Sequence, residues 1–366
     1  LLSMSENRKS AALILADGTV YRGVSFGAAG TVFGEIVFTT GVSGFQETLT
    51  DPSNFGQIVV QTFPSVGGYG VNKDDYASDR CHLSGYVVRS VTELPSNYKM
   101  TETLGQFVTE QGVVGIEDVD TRAITRHIRD FGSMNAMIST EHLEPTAEVL
   151  EQIRSWKMEK AVESVVSAGG EYPAAEEKKH VCMVDFGRRN GSVAALNHYG
   201  IGVTVLPCTT PVEELLAVKC DGYVLSEGPG DPAACEKYLP AVKALMESGR
   251  PVLGLGLGHQ LMALSQGAAC EKLLHGHRGA NQPVKNLETG HVYVTTQNHS
   301  YAVKADSLPA FAKVTEKNLN DDTTAAIVYD GMPAFSVQYN PESVVGGRDK
   351  GAVYRRFMEL MSTGRN

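Results

Sequence analysis

Residues 251–267 read Pro-Val-Leu-Gly-Leu-Gly-Leu-Gly-His-Gln-Leu-Met-Ala-Leu-Ser-Gln-Gly and decide the fold of the second half of the chain. The apolar run 251–255 predicts a buried strand, and the leucine spacing in 257–265 predicts a helix that ends before Gly267. The backbone must turn sharply between the two. In many hydrolases such a strand–turn–helix presents a nucleophile at the carboxyl edge of a sheet. The residue at this turn is Gly256, so the position carries no reactive side chain.

Length and composition indicate a soluble globular protein of more than one domain. At 366 residues the chain is too long for one ordinary hydrophobic core, so two domains are expected. Its 42% hydrophobic and 20% charged residues are typical of globular proteins. The formal net charge of −10, without any run of basic residues, argues against nucleic acid or an anionic membrane as a partner. No apolar stretch is long enough to span a bilayer.

The six cysteines indicate a reducing compartment rather than a disulfide or zinc framework. None of them form a C-x-x-C pair, and their spacing is irregular. His259, His275 and His277 lie near no cysteine at a spacing typical of metal ligands. We therefore expect reduced thiols, a cytoplasmic location and no metal site in this chain.

Residues 11–163 predict a β-rich domain of the α+β type. Short apolar runs alternate with turn signals there, beginning with two strands joined through Asp-Gly at 17–18. Helical periodicity follows at 121–130, with Asp118 or Asp120 placed to cap the helix. The residue chemistry of this half reveals no catalytic motif, so a scaffold domain is the expectation for it.

Residues 164–178 predict an interdomain linker, because periodicity is lost there while glycine, proline and charge increase. Residues 179–366 predict an α/β domain. Short apolar runs alternate with helical stretches, which is typical of βαβ units in a mostly parallel sheet flanked by helices. Ligand sites in such sheets form beyond the carboxyl ends of the strands. Three loops should converge there: 185–187, 226–232 and the turn at Gly256.

A series of motifs runs through both halves in a fixed order. In the first half they lie at 17–18, 41–47, 49–53 and 115–122. In the second half they lie at 185–187, 228–232 (Gly-Pro-Gly-Asp-Pro), 257–260 (Leu-Gly-His-Gln), 277–283, 297–299 and 341–342. Over nearly its whole length the chain thereby resembles the small, glutamine-amidotransferase subunit of carbamoyl phosphate synthetase, a class I (triad) amidotransferase. The first-half motifs are the ones that single out the carbamoyl phosphate branch.

The resemblance implies an activity, a fold and a partner. It implies the small-subunit N-terminal domain over 11–163 and a class I amidotransferase domain over 179–366. Family members hydrolyse glutamine with a Cys–His–Glu triad and pass ammonia through a tunnel to a large subunit. There ATP, bicarbonate and ammonia become carbamoyl phosphate for pyrimidine and arginine synthesis. The implied partner is that large subunit, which would hold ATP and Mg²⁺, so this chain needs no cofactor of its own.

The resemblance also assigns site residues by motif. The family's cysteine belongs at Gly256 and its histidine at Asn340, whereas the triad glutamate is retained as Glu342. The retained substrate-binding positions are Ser53, Gly228, Gly230, Leu257, Gln260 and Asn298.

Three further departures lie on loops that would contact glutamine. Ser300-Tyr301 replaces a Gly-Phe pair of the family, and Glu227 replaces a residue that is usually Asn. Glutamine hydrolysis needs a thiolate and a base, and neither Gly256 nor Asn340 supplies them. The chain is therefore predicted to be a pseudo-glutaminase. Because changes at the glutamine-contacting loops accompany both triad losses, natural degeneration is favoured over deliberate inactivation.

Other readings of these residues stay open. The chain is alternatively a binding or regulatory protein that senses glutamine or a related small amide or carboxylate without reaction. A new enzymatic use of the pocket, with Glu227 or Glu342 as acid or base, is a third hypothesis. Simpler roles are a solvated carboxylate for Glu342, a turn serine for Ser53, and solvated surface positions for His275, His277 and Arg278.

Overall fold

The computed structural model describes residues 9–345 and 351–363. The chain forms two compact units that divide between Glu159 and Lys160. Among the described residues, no helix combines the length and the apolar character that crossing a bilayer requires.

A closed barrel of seven strands forms the first unit. Its order is β1-β2-β8-β6-β4-β3-β9, and antiparallel pairing of β1 with β9 closes it, while β5 and β7 form a separate pair. The strands are β1 (Ser10–Leu15), β2 (Val20–Gly27), β3 (Thr31–Thr39), β4 (Gln57–Gln61), β5 (Ser65–Val66), β6 (Gly85–Val87), β7 (Ser90–Val91), β8 (Val114–Glu117) and β9 (Met134–Ser139). The helices are α1 (Phe45–Thr50), α2 (Leu104–Glu110), α3 (Thr121–Phe131) and α4 (Ala147–Ser155).

Helix α3 shows how local sequence and barrel packing combine. Its apolar face buries Ile124 and Ile128 in the same hydrophobic cluster as barrel residues such as Ile36. Of the two candidate caps, Asp120 is the one used: its Oδ1 accepts a hydrogen bond from the Ala123 N–H at 2.9 Å. Asp118 instead has φ 60° and forms an exposed ion pair.

The second unit is built on an eleven-stranded sheet in the order β10-β12-β11-β13-β14-β19-β18-β17-β15-β16-β20. The strands are β10 (Gly170–Tyr172), β11 (Lys179–Asp185), β12 (Ile201–Pro207), β13 (Gly222–Leu225), β14 (Val252–Leu255), β15 (Cys270–Asn286), β16 (Val292–Val303), β17 (Ala312–Asn318), β18 (Thr324–Tyr329), β19 (Ala334–Val337) and β20 (Asn340–Val345). The helices are α5 (Ala161–Val165), α6 (Asn190–His198), α7 (Val212–Ala217), α8 (Leu239–Glu247), α9 (Leu257–Ser265) and α10 (Ala352–Thr363).

The α/β architecture expected for this unit is confirmed, and its parallel part is confined to five strands. Strands β12, β11, β13, β14 and β19 run parallel to their neighbours within this group. On both sides the sheet continues with antiparallel strands. Hydrophobic clusters lie against both faces of the central strands, which is why these strands are apolar throughout.

The structure differs from the predicted linker over 164–178. Strand β10 lies within this stretch and pairs antiparallel with β12, so the segment belongs to the second unit. The buried carboxylate of Asp185 also holds it, because Oδ2 accepts hydrogen bonds from the Ser167 N–H at 2.9 Å and hydroxyl at 2.5 Å. Glycine and proline mark turns here rather than a free connection.

Replacing Asp120 by alanine should destabilise the first unit by about 1 kcal/mol, since the N-cap hydrogen bond of α3 is lost. Asp118→Asn is the matched control. Asparagine tolerates φ near 60°, and an exposed ion pair contributes at most about 1 kcal/mol, often much less. Urea unfolding followed by circular dichroism would compare the two variants, and an equal loss in both would contradict the assignment of the cap.

Candidate functional site

The turn between β14 and α9 is formed by Gly256 alone, as the sequence predicted. Its backbone has φ 52° and ψ −108°, and α9 begins at the next residue. Two hydrogen bonds fix the turn: the Gly256 N–H donates to the Val337 carbonyl at 3.0 Å, and the Gly258 N–H donates to the Ser226 carbonyl at 3.0 Å. The turn is therefore held against the ends of both neighbouring strands, β19 and β13.

Glycine suits this position for two reasons. A side chain at φ 52° would be strained. A Cβ atom built on Gly256 would also lie 3.0 Å from the Cβ of Glu227, which is closer than an unstrained contact. Glu227 is the only described residue, apart from the chain neighbours of Gly256, with an atom within 4 Å of that Cβ. Within 4 Å of this Cβ position, the space in front of the turn is thus bounded by Glu227 and is otherwise open in the described part of the chain, residues 9–345 and 351–363.

Glu227 is buried at the N-terminus of α6. Its Oε1 accepts hydrogen bonds from the Arg189 N–H at 3.2 Å and from the Ser192 hydroxyl. A carboxylate is favourable here because the first N–H groups of a helix carry partial positive charge. Its Oε2 is buried and has no hydrogen-bond partner among the described residues. One carboxyl oxygen of Glu227, Oε1, therefore binds the start of α6, while the other oxygen makes no hydrogen bond within the described residues.

The pKa of Glu227 is raised to about 7. Burial is the main cause, and the negative charge of Glu342 adds to it. The Ser192 hydrogen bond and the positive charge of Arg189 act in the opposite direction without cancelling the rise. This carboxyl group consequently changes its charge near neutral pH.

Glu342, which the resemblance assigns as the triad acid, has two partners in the structure. Its Oε1 lies 3.2 Å from the Arg189 guanidinium, and its Oε2 accepts from the Tyr354 hydroxyl at 3.3 Å. Asn340, two residues earlier on β20, keeps a buried Nδ2 atom without a partner among the described residues. Within the described part of the chain, Glu342 is thus paired with Arg189 and Tyr354.

The side-chain amide of Gln260, which the resemblance assigns to substrate binding, donates its hydrogen bonds to other groups of the protein. It lies on α9 one turn after Gly256 and is buried. Its Nε2 donates to the Tyr301 carbonyl at 2.7 Å and to Gln338 Oε1 at 2.9 Å. The side chain therefore ties α9 to β16 and to the segment between β19 and β20.

The glycines and Leu257 lie where the predicted loops converge. Gly228 has no room for a side chain, because a Cβ atom would clash with the Phe186 carbonyl and with Leu257. Gly230 has φ 90°, which favours glycine. Leu257 is the first residue of α9, so its N–H has no carbonyl four residues earlier within the helix. These features bring the glycine-containing loop after β13 close to the first residue of α9.

Asn298, Ser300 and Tyr301 lie on β16, and a buried arginine anchors that segment. Arg278 on β15 donates from Nη2 to the Ser300 hydroxyl at 2.6 Å. The expectation of a solvated surface is wrong for His277 and Arg278, each only 5% exposed, while His275 is half-buried. His277 is held by Asp321 at 2.8 Å, which explains how the imidazole is accommodated in the interior.

Ser53 belongs to the first unit. It lies in a short 3₁₀ helix, Pro52–Asn54, and its N–H donates to the Asp51 side chain at 2.9 Å. This is the turn geometry that residue chemistry alone suggests.

Among the described residues, the histidine–serine pair on α9 and β19 is closed off from solvent. His259 contacts the Ser336 hydroxyl at 2.8 Å, but both residues are completely buried, and burial lowers the pKa of His259 to about 3. The six cysteines are free thiols, and burial raises the pKa of every one of them. Within the described ranges, no three His, Cys, Asp or Glu side chains are arranged to hold a metal ion.

Sequence reasoning missed three residues that shape the site, namely Arg189, Ser192 and Tyr354. Arg189 is the residue before α6 and Ser192 lies on α6, both more than 30 positions from Glu227, while Tyr354 lies on α10, 12 positions from Glu342. No motif marks them, and only the position of Arg189 shortly after the 185–187 loop signalled its proximity.

Comparison with known proteins covers both units. Residues 13–138 match the family described as carbamoyl-phosphate synthase small chain, CPSase domain. Residues 182–360 match the family described as glutamine amidotransferase class-I.

Whole-length relatives carry the same description. The chain is 40% identical to the chloroplastic carbamoyl phosphate synthase small chain of Oryza sativa subsp. japonica, over 97% of this chain and 83% of that one. It is 40% identical to the small chain of Syntrophotalea carbinolica, over 97% and 98%. It is 42% identical to that of a Nostoc species, over 96% and 95%. The chain therefore belongs to the carbamoyl phosphate synthase small chain family.

Proposed function

We propose that this chain is a carbamoyl phosphate synthase small chain that does not hydrolyse glutamine. In this proposal it binds a large subunit, which carries ATP and Mg²⁺ and takes ammonia from solution instead of from glutamine. Whole-length similarity to small chains supports the partnership. The observation that carries the loss of glutaminase activity is the glycine at the apex of the nucleophile turn.

The chemistry of amide hydrolysis supports this proposal. A thiolate must attack the carbonyl, and a base must return the proton to the leaving ammonia. Gly256 supplies no sulfur and Asn340 no imidazole. The retained acid cannot compensate, because Glu342 is paired with Arg189 and Tyr354. The pair of His259 and Ser336 is sealed from solvent.

The proposal also includes the cellular compartment in which the complex works. Six cysteines, all free thiols in the structure, suit a reducing compartment, so we place the complex in the cytoplasm. There the small chain would stabilise or regulate the large subunit in carbamoyl phosphate formation for pyrimidine and arginine synthesis.

A second candidate function is a binding protein that senses a small amide or carboxylate. The specific observation in its favour is that Glu227, which lies beside Gly256, and Asn340 each have a buried polar atom without a hydrogen-bond partner among the described residues. The two functions are compatible, because a bound small molecule can regulate a large subunit.

Purified chain, alone or with a carbamoyl phosphate synthase large subunit, should release no glutamate from glutamine above the uncatalysed rate. Ammonium chloride should support carbamoyl phosphate formation by the complex, while glutamine should not. The control is a small chain with cysteine and histidine at the two positions. Glutamate release at the rate of that control would refute the proposal.

The double change Gly256→Cys and Asn340→His should restore glutaminase activity only in part. The new Cβ atom lies 3.0 Å from that of Glu227, and Glu342 is held by Arg189. Adding Glu227→Asn should raise kcat/KM by about tenfold, or about 1.4 kcal/mol, because a neutral amide replaces the buried carboxyl group whose negative charge disfavours the introduced thiolate.

Glu213→Asn, on the exposed part of α7, serves as the matched control for the third change and should leave the rate of the double variant as it is. Full recovery with the first two changes alone would show that Glu227 and the Arg189 ion pair do not obstruct the reaction.

A further inference from the structure

Residues 166–178 lead into β11 along one edge of the large sheet. Strand β10 lies within them and pairs with β12 over three residues, fewer than the about five or six of a typical strand. Two glutamates of this segment, Glu171 on β10 and Glu177 just before β11, lie within 3.9 Å and 2.9 Å of His180 on β11. Together with Thr204 on β12, which also contacts His180, they form what we call the His180 cluster.

The hydrogen bonds of the cluster determine where its protons lie. Thr204 Oγ1 is 2.8 Å and 2.9 Å from the two carboxylate oxygens of Glu171. A carboxylate only accepts, so the single hydroxyl proton of Thr204 is donated to Glu171. The same hydroxyl oxygen lies 2.7 Å from His180 Nε2. Because the hydroxyl proton is already used, Nε2 must carry an N–H and donate it to Thr204.

The other ring nitrogen of His180 faces a second carboxylate. Nδ1 lies 2.9 Å from Glu177 Oε1, which is again an acceptor, so Nδ1 must carry a proton too. A ring with an N–H on both nitrogens is the positively charged imidazolium. A neutral imidazole has one N–H, so loss of the proton from His180 breaks its contact with either Glu177 or Thr204.

The neighbouring strand leaves room for the contact between Glu177 and the ring. Gly202 is the residue opposite His180 in the parallel pairing of β11 with β12. A Cβ atom built on Gly202 would overlap with Glu177 Oε2 and would lie 2.8 Å from His180 Nδ1. The glycine therefore provides the space in which carboxylate and imidazole meet.

The other titratable groups near His180 have partners or carry no charge. Asp221, before β13, accepts from the His180 backbone N–H at 2.9 Å and pairs with Lys179 at 3.4 Å. Cys182 lies on the same face of β11 as His180, and burial raises the pKa of its thiol to about 12, so the thiol is neutral. Arg250, whose charge acts on Cys182 from before β14, donates to backbone carbonyls. Glu171 and Glu177 therefore act most directly on the charge of the ring.

We propose that the His180 cluster is a pH-sensitive fastening for the edge of the sheet. Protonated His180 binds Glu177 directly and Glu171 through Thr204, and thereby holds residues 166–178 against β12. After loss of the proton one contact breaks, and β10 separates from β12 more often. Since protonation favours the fastened form, the fastening is present below the pH range in which a histidine titrates and is lost as the pH rises through it. The proposal does not depend on glutamine hydrolysis or on a large subunit.

NMR of the full chain with ¹⁵N-labelled histidine tests the charge of the ring, and His180→Gln assigns its signal. At pH 7 more than half of His180 should be imidazolium. In Glu177→Gln the fraction should fall to about a quarter, the value of an unperturbed histidine at this pH. Glu176→Gln, at an exposed neighbouring glutamate, is the matched control and should keep the parent fraction. Equal fractions in the parent and Glu177→Gln would refute the protonation assigned here.

Amide hydrogen exchange tests the fastening itself. Protection of the β10 N–H groups, relative to the unfolded chain at the same pH, should fall about three- to tenfold between pH 6 and pH 8.5. The effect is limited because partly exposed charge pairs each contribute little. Protection in β18, a strand remote from β10 in the sheet order, should stay the same. Unchanged protection of β10, or an equal loss in β18, would overturn the proposal.

Variants locate the effect. In His180→Gln, which has no titrating proton, β10 protection should be low and the same at both pH values. Gly202→Ala displaces the Glu177 carboxylate without changing any charge, so β10 protection at pH 6 should fall to the level of the parent protein at pH 8.5. Since Gly202 is buried, Glu177→Gln gives the same loss by a second route, and β18 protection shows that each variant is folded. Protection of β10 that still depends on pH in His180→Gln would refute the role given to His180.

Discussion

The left-handed turn at Gly256 is the constraint on which the second unit depends. It ends a central parallel strand and starts α9 within one residue, which only a backbone with positive φ achieves. Hydrogen bonds to Val337 and Ser226 then fix the two neighbouring strand ends around it. Glu227 follows the end of β13, and Asn340, the first residue of β20, follows the end of β19. A hydrolase geometry is thus maintained by backbone interactions that do not require the reactive side chain.

What replaces the reactive side chains is a buried charge network. Glu227 holds the start of α6, and Arg189 joins α6 to Glu342. Breaking one partner of such a pair leaves a buried charge and is costly, by about 3–5 kcal/mol in known cases. The network therefore stabilises the arrangement of α6, β20 and the loop that contains Glu227.

The sequence predicted the local parts of this structure and missed the long-range ones. The turn at Gly256, the helix after it and the cap of α3 all follow from a few consecutive residues. Closure of the barrel between β1 and β9, and the antiparallel strands beyond β19, depend on pairings between distant segments that periodicity does not encode. In the site, the resemblance assigned Gly256, Asn340 and Glu342 to the positions of the family's triad. The pairing of Arg189 with Glu342, 153 positions apart, and the burial of Arg278 needed coordinates.

Tyr354 links Glu342 to the packing of α10 against α6. Its ring stacks on Tyr199, at the far end of α6, with centroids 5.6 Å apart, while its hydroxyl reaches Glu342. Helix α10 is thus joined to both ends of α6. At one end Tyr354 stacks on Tyr199, and at the other its hydroxyl contacts Glu342, which pairs with Arg189. Selection for folding alone would keep a glutamate at this position. Survival of one triad member in a sequence is consequently poor evidence that a family member still performs catalysis.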